Sequence, residues 1–168
     1  MQRALGGALA LVCAYDITNA GRYVVDGVIT FGQPKIARQD LADHIDQILI
    51  GRFARFVNDE DMIPRVPPGY AACESLIWFK PTGIRRSRPK RMMFSASAND
   101  NAPPQVDDAE VPSMTEREFQ AFQNELRGKQ ALRMQQHMGE PGQRYGAGPV
   151  EDHSMHLYIE NVRHLLGE

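Results

Sequence analysis

Ala4-Leu-Gly-Gly-Ala-Leu-Ala-Leu-Val-Cys-Ala14 opens the chain with its most apolar uncharged run. It is rich in Ala and Leu, the strongest helix formers, and predicts a helix over residues 4–15. Gly6 and Gly7 stand at its start, where a glycine costs about 1 kcal/mol against alanine. Two in a row are expected where a helix packs closely on a neighbouring strand, or in a loop. A short signal peptide is the competing reading, with Arg3 as its charged region and Val12-Cys13-Ala14 at its end. The lone cation and the two glycines in the apolar segment speak against it.

Working outward, Asn19-Ala-Gly21 is a helix stop. Tyr23 to Phe31 is β-branched and nearly all apolar, as expected of a parallel strand buried on both faces, and Gly32-Gln-Pro34 ends it. Leu41, Ile45, Ile48 and Leu49 recur at helical spacing and predict a helix from Asp40 to Ile50, with Asp40 as its cap. Arg52 to Asn58 alternates like a second strand, and Ser75 to Phe79 reads as a third. Strand-helix-strand alternation predicts an α/β layered sheet.

From Lys80 the character changes. Lys80, Arg85, Arg86, Arg88, Lys90 and Arg91 crowd together, and the acidic Asp107-Asp108-Ala-Glu110 follows. Thr115-Glu-Arg-Glu118 has the spacing of a capping box and predicts a helix to about Met138, with Phe119, Phe122, Leu126 and Met134 on one stripe. Gly139-Glu-Pro-Gly142 and Gly146-Ala-Gly-Pro149 break the chain. A last helix carries Met155, Tyr158, Ile159, Val162, Leu165 and Leu166 on one face. Residues 80–149 thus read as a charged insert between 1–79 and 150–168.

The chain has 168 residues, suited to one domain, and a formal net charge of -2. That balance argues against a nucleic-acid partner, which calls for a basic excess. The basic run suits a solvated loop neutralised by the acids after it, or contact with anionic lipid head groups. Cys13 and Cys73 make neither a disulfide framework nor a metal motif, so a reducing, cytoplasmic setting is expected. No cofactor or metal-ligand spacing is present. No apolar run reaches the roughly 18 residues that a membrane span requires.

The densest chemical signal is Asn58-Asp-Glu-Asp-Met-Ile-Pro-Arg-Val-Pro-Pro68. An acid at the end of a parallel strand sits at the carboxyl edge of the sheet, where open α/β folds place their sites. Asp61 is the chosen acid, because Pro64, Pro67 and Pro68 stiffen the loop behind it; an ordinary acidic turn is the competing reading. Asp152-His153-Ser-Met-His156 precedes the last helix. A histidine there can swing to an acid on a neighbouring strand and serve as a base held by that carboxylate. Two exposed helix-start histidines are the alternative. His44, His137 and His164 lie on helix faces and read as structural or solvated.

Together these residues resemble the class 3 lipases, a triacylglycerol-lipase family of α/β-hydrolases. The family's nucleophile turn reads Gly-His-Ser-Leu-Gly-Gly-Ala-Leu-Ala, in register with Leu5-Gly-Gly-Ala-Leu-Ala10. Its next strand ends in Thr-Phe-Gly-Gln-Pro, matching Thr30 to Pro34. Its acid loop is similar to Asn58–Pro68, which puts the catalytic aspartate on Asp61. Asp-His-Ser-Met before a terminal helix puts the histidine on His153 rather than His156. The resemblance covers residues 4–79 and 150–166.

It implies a partial α/β-hydrolase fold: a mostly parallel sheet with flanking helices, lacking the N-terminal half of the sheet. It also implies hydrolysis of lipid carboxylic esters by a Ser-Asp-His triad, without a cofactor. Ala4 stands where the serine belongs, behind Gln2 and Arg3 instead of Gly and His. The Leu5 backbone N–H is the surviving oxyanion donor. Ala37 and Arg38 replace a Gly-Asn, and Ala71, Ala72 and Cys73 fall where many members have a histidine. With no nucleophile the chain is expected to be inactive, as a truncated product or a degenerate paralogue. A non-catalytic lipid- or protein-binding module, or a chain that pairs with the missing N-terminal half, is the other expectation.

Overall fold

A computed structural model describes residues 2–73, 76–87, 110–136 and 154–167. Helix α1 runs from Gln2 to Asn19, longer at both ends than the Ala/Leu run alone predicts. Ala4, Ala8, Leu11 and Ala14 form its buried face. Its stop is a Schellman arrangement around Gly21, whose φ is 64°. The Arg22 N–H donates to Ile17 O at 3.3 Å and the Gly21 N–H to Thr18 O at 3.1 Å, satisfying carbonyls the helix leaves open. Of the two early glycines only Gly7 is in close packing: a Cβ there would lie 3.5 Å from the Cβ atoms of Thr30 and Gln33. Gly6 faces open space.

The sheet has the order β1-β2-β3-β4, with β1 Val28–Phe31, β2 Phe53–Asn58, β3 Leu76–Lys80 and β4 Gly83–Arg86. The first three are parallel and β4 returns antiparallel on β3. Helix α2, Gln39–Ile48, links β1 to β2. Its N-cap is Arg38, which makes no side-chain cap bond, so Asp40 is not the cap; it lies within the first turn. Strand β4 is a structural addition to the sequence reading: Gly83–Arg86, exposed throughout, lacks the apolar alternation that marks a strand.

Register and the two-residue period put Val28 and Thr30 on the same face as Phe53, Arg55 and Val57. This face is covered by α1 and α2. Leu11, Ala14, Val28, Ala42, Ile45, Leu49 and Phe53 form the core beneath them. The Tyr15 hydroxyl and His44 Nδ1, 3.0 Å apart, join the two helices at the surface. On the other face, the rings of Phe31, Phe56 and Phe79 stack across three strands at 5.1 and 5.8 Å.

Helix α4, Met155–Leu166, meets this aromatic row through Tyr158, whose ring stands edge-on to Phe31. Only part of the apolar face predicted for α4 is covered, since Ile159 and Leu166 are exposed.

The long strand predicted over Tyr23–Phe31 is four residues long, and it is not buried on both faces. Tyr23 and Val24 are exposed, and Ile29 is 64% exposed. The reason is position: among the described residues β1 is at the sheet's edge, with α1 on one face, and on the other Phe31 meets Tyr158 while Ile29 is left exposed. Leu5, Leu9 and Val12 form an outward apolar stripe on α1 beside it.

Helix α3, Glu116–Gln136, begins as the capping box predicts. Glu118 Oε2 accepts from the Thr115 N–H at 2.7 Å and from its hydroxyl at 2.8 Å, while Thr115 Oγ1 accepts from the Glu118 N–H at 3.3 Å. Phe122 is buried, with Phe119 and Leu126 partly so.

Candidate active site

The acid loop leaves the carboxyl end of β2 in a tight turn, closed by the Asp61 N–H donating to Asn58 O at 3.0 Å. That turn separates three neighbouring acids. Asp59 and Glu60 point outward and pair with Lys80 Nζ at 3.0 and 2.9 Å. The same ammonium lies 4.2 Å from the Trp78 ring, and the Trp78 indole donates to Asp59 O at 2.9 Å. Asp61 turns inward and is 1% exposed.

A buried carboxylate is costly unless it is hydrogen-bonded. Asp61 Oδ1 accepts from the Ile63 N–H at 2.9 Å, and Oδ2 accepts from the Tyr158 hydroxyl at 2.7 Å. That hydroxyl in turn accepts from the Asn58 N–H at 3.0 Å. Asn161 Nδ2 donates to Asn58 Oδ1 at 2.9 Å, a second tie between α4 and the end of β2. Burial, reinforced by the Asp61 carboxylate, pushes the Tyr158 phenol well above its ordinary value, so Tyr158 is a fixed donor. Sequence reasoning places Tyr158 only on an apolar face. The available signal is that a buried tyrosine hydroxyl needs a partner.

The loop is fixed at its far end too. The Lys35 N–H donates to Val66 O at 2.8 Å, and the Ala71 N–H to Ala37 O at 2.8 Å. Ala37 and Ala71, two of the departures from the family pattern, are therefore bridged to each other.

Ala4 is in the first turn of α1, together with Leu5. Its side chain is buried against Ile63, Met114 and Phe122. Ile63 thus links the two candidate positions: its N–H holds Asp61 and its side chain packs with Ala4. A strap over residues 110–115 crosses this region. Val111 is buried with Val57 and Leu76, Arg65 Nε donates to Pro112 O at 3.2 Å, and the Met114 N–H donates to Arg65 O at 3.1 Å. Lys35 Nζ and Ser113 Oγ form a further hydrogen bond.

His156 is exposed on α4, with Nε2 3.5 Å from Glu160 Oε1, and is not brought to Asp61. His153, the histidine of the resemblance, lies outside the described residues, as do His137, Arg88, Lys90 and Arg91. His164 is exposed. Among the described residues, no group of three His, Cys, Asp or Glu side chains could hold a metal, and no helix is long and apolar enough to cross a membrane.

A family model described as lipase (class 3) matches residues 4–71. The chain is 36% identical over 81 residues to the secreted mono- and diacylglycerol lipase MDL5 of Malassezia globosa, covering 46% of this chain and 26% of that protein. It is 30% identical over 80 residues to the secreted mono- and diacylglycerol lipase 3 of Gibberella zeae, covering 45% and 25%. The chain thus spans about a quarter of the length of the curated relatives it matches. Among solved structures, lipase II from Rhizopus niveus aligns with a TM-score of 0.42 at 26% identity, over 50% of this chain and 32% of that one. The Lip2 lipase from Yarrowia lipolytica aligns at 0.40 and 27% identity, over 44% and 29%. Residues 4–71, which hold the acid loop and the nucleophile position, are thus similar to the class 3 lipases.

Proposed function

We propose that this chain carries the acid–base half of a lipase site for lipid carboxylic esters. In this reading Asp61 orients His153, His153 moves the proton, and the nucleophile position is occupied by Ala4. The observation that carries the reading is Asp61 itself, which lies in the matched segment, buried at the carboxyl end of β2 and held by the Ile63 N–H and the Tyr158 hydroxyl. A carboxylate so held can keep an imidazole in one tautomer and stabilise its cation. An alanine supplies no nucleophile, so the triad route is silent in the chain as it stands. The exposed stripe Leu5–Leu9–Val12 and the edge of β1 support a further polypeptide segment, carrying more of the hydrolase sheet, as a partner. Cys13 and Cys73 are not joined in a disulfide, which supports a reducing compartment, although the relatives named above are secreted.

The test is labelling with an alkyl fluorophosphonate followed by peptide mapping. Ala4→Ser is expected to gain label at position 4, in a background carrying Phe122→Ala to open access, and to lose it on His153→Ala. Absence of label at position 4 in the folded variant, or label there that ignores His153, removes the reading.

A second reading, a non-catalytic lipid- or protein-binding module, is favoured by one observation: Met114 and Phe122 fill the space beside Ala4 with apolar side chains. Vesicle binding that survives Asp61→Asn and His153→Ala unchanged supports the module instead.

A further inference from the structure

Lys35 is buried in a way that its sequence position does not foretell. It is 6% exposed, and its amine is bonded to the hydroxyl of Ser113, an exposed residue on the strap. The charges around that amine come from three elements. Arg55 lies on β2, Arg65 ends the turn after Asp61, and Glu110 opens the strap. Two of the three are cations. Burial, then Arg55 and Arg65, all disfavour the lysine cation, and Glu110 opposes them, leaving the amine below its ordinary range. A lysine desolvated beside other cations is the form in which this side chain acts as a base. Arg65 Nε also holds Pro112 O, which sets a fixed positive group beside the Ser113 backbone.

We propose that Ser113 and Lys35 form a serine–lysine dyad: a nucleophile and its general base, separate from Ala4, that acts on carboxylic esters. The substrate class rests on the function proposed above; the machinery does not.

In the first step neutral Lys35 Nζ takes the Ser113 Oγ proton as Oγ bonds to the ester carbonyl carbon, and the carbonyl electron pair moves onto oxygen beside Arg65. Collapse breaks the bond to the alkoxy group, which leaves with the proton from Lys35 as an alcohol. Water then attacks the acyl carbon and gives its proton to Lys35. Ser113 Oγ departs and recovers that proton, so the products are one carboxylic acid and one alcohol.

The test uses the full chain, an alkyl fluorophosphonate and peptide mapping, with p-nitrophenyl butyrate hydrolysis as the second readout. The wild-type chain is expected to label at Ser113, at a rate that rises with pH and levels off below the ordinary lysine range. Ser113→Ala abolishes the label. Lys35→Met and Lys35→Arg each slow it by about 100-fold or more, the usual share of a general base. Circular dichroism establishes that each variant is folded. If Lys35→Met does not fold, the wild-type pH profile decides: a rate that climbs without levelling off overturns the dyad.

No label at Ser113 in the folded wild type, or a rate indifferent to Lys35, also overturns it. The site of modification separates the two proposals, position 4 for the triad and position 113 for the dyad.

Discussion

The Tyr158 hydroxyl stands 2.7 Å from Asp61 Oδ2 and 3.0 Å from the Asn58 amide nitrogen, donating to the first and accepting from the second. One side chain of α4 thereby fixes both the start of the acid loop and its buried carboxylate. These partners are about a hundred residues away in sequence.

Tyr158→Phe leaves a buried carboxylate oxygen and a buried amide each one partner short. A loss of about 1.5–3 kcal/mol in urea unfolding is expected, the range for a hydrogen bond to a charged group. Loss of less than a few tenths of a kcal/mol means that the bond does not hold in solution.

The same hydroxyl makes stability depend on alkaline pH. Its folded-state value is raised above the ordinary 10.0, so above pH 10 the folded chain keeps a proton that the unfolded chain releases. The contribution is fully present below pH 10 and declines as pH rises beyond it. The stability gap between wild type and Tyr158→Phe should therefore narrow in alkaline unfolding curves. A constant gap contradicts the assignment.

Gly6→Ala should stabilise the chain by roughly 0.5–1 kcal/mol, because Gly6 is helical and an added Cβ meets nothing within 4 Å. Thermal melts read this directly. Destabilisation would mean that α1 starts after Gly6 in solution.

Thr115→Ala removes the cap of α3 and should cost about 1 kcal/mol. Glu118, held below the usual carboxylate range by the Thr115 N–H and then its hydroxyl, adds a pH signature. A depressed folded value gives stability present above pH 4.5 and lost as pH falls through the folded value. Amide protection factors in α3, corrected for the intrinsic pH dependence of exchange, should fall in acid for wild type, and less so for Glu118→Gln.

Phe122→Ala should cost about 3 kcal/mol, the lower end for a buried phenylalanine, and should expose Ala4. Faster hydrogen exchange in residues 116–136, with β1 to β3 unchanged, is the expected pattern. Protection lost everywhere at once would show that α3 is part of the main core.

Local rules made much of this molecule readable from the chain. Ala and Leu content located α1, helical spacing located α2 and α4, alternation located β2, and Thr115-x-x-Glu118 placed the start of α3 within a residue. Those signals are set by neighbours a few positions away. The misread elements were those whose environment is remote. The composition of Tyr23–Phe31 suits a strand covered on both faces, but an edge position leaves Ile29 outside. Gly83–Arg86 is a strand because β3 offers it an edge, not because its own residues alternate.

The site divides in the same way. Reading along the chain is enough to find that acids follow β2, that prolines stiffen the loop after them, and that alanine occupies position 4. Tertiary structure alone decided that Asp59 and Glu60 go to Lys80 while Asp61 turns inward, and that Tyr158 meets Asp61. It also decided that Met114 and Phe122 cover Ala4, and that Lys35 reaches Ser113. Burial and pairing depend on which distant surfaces come together, and only the closed fold determines that.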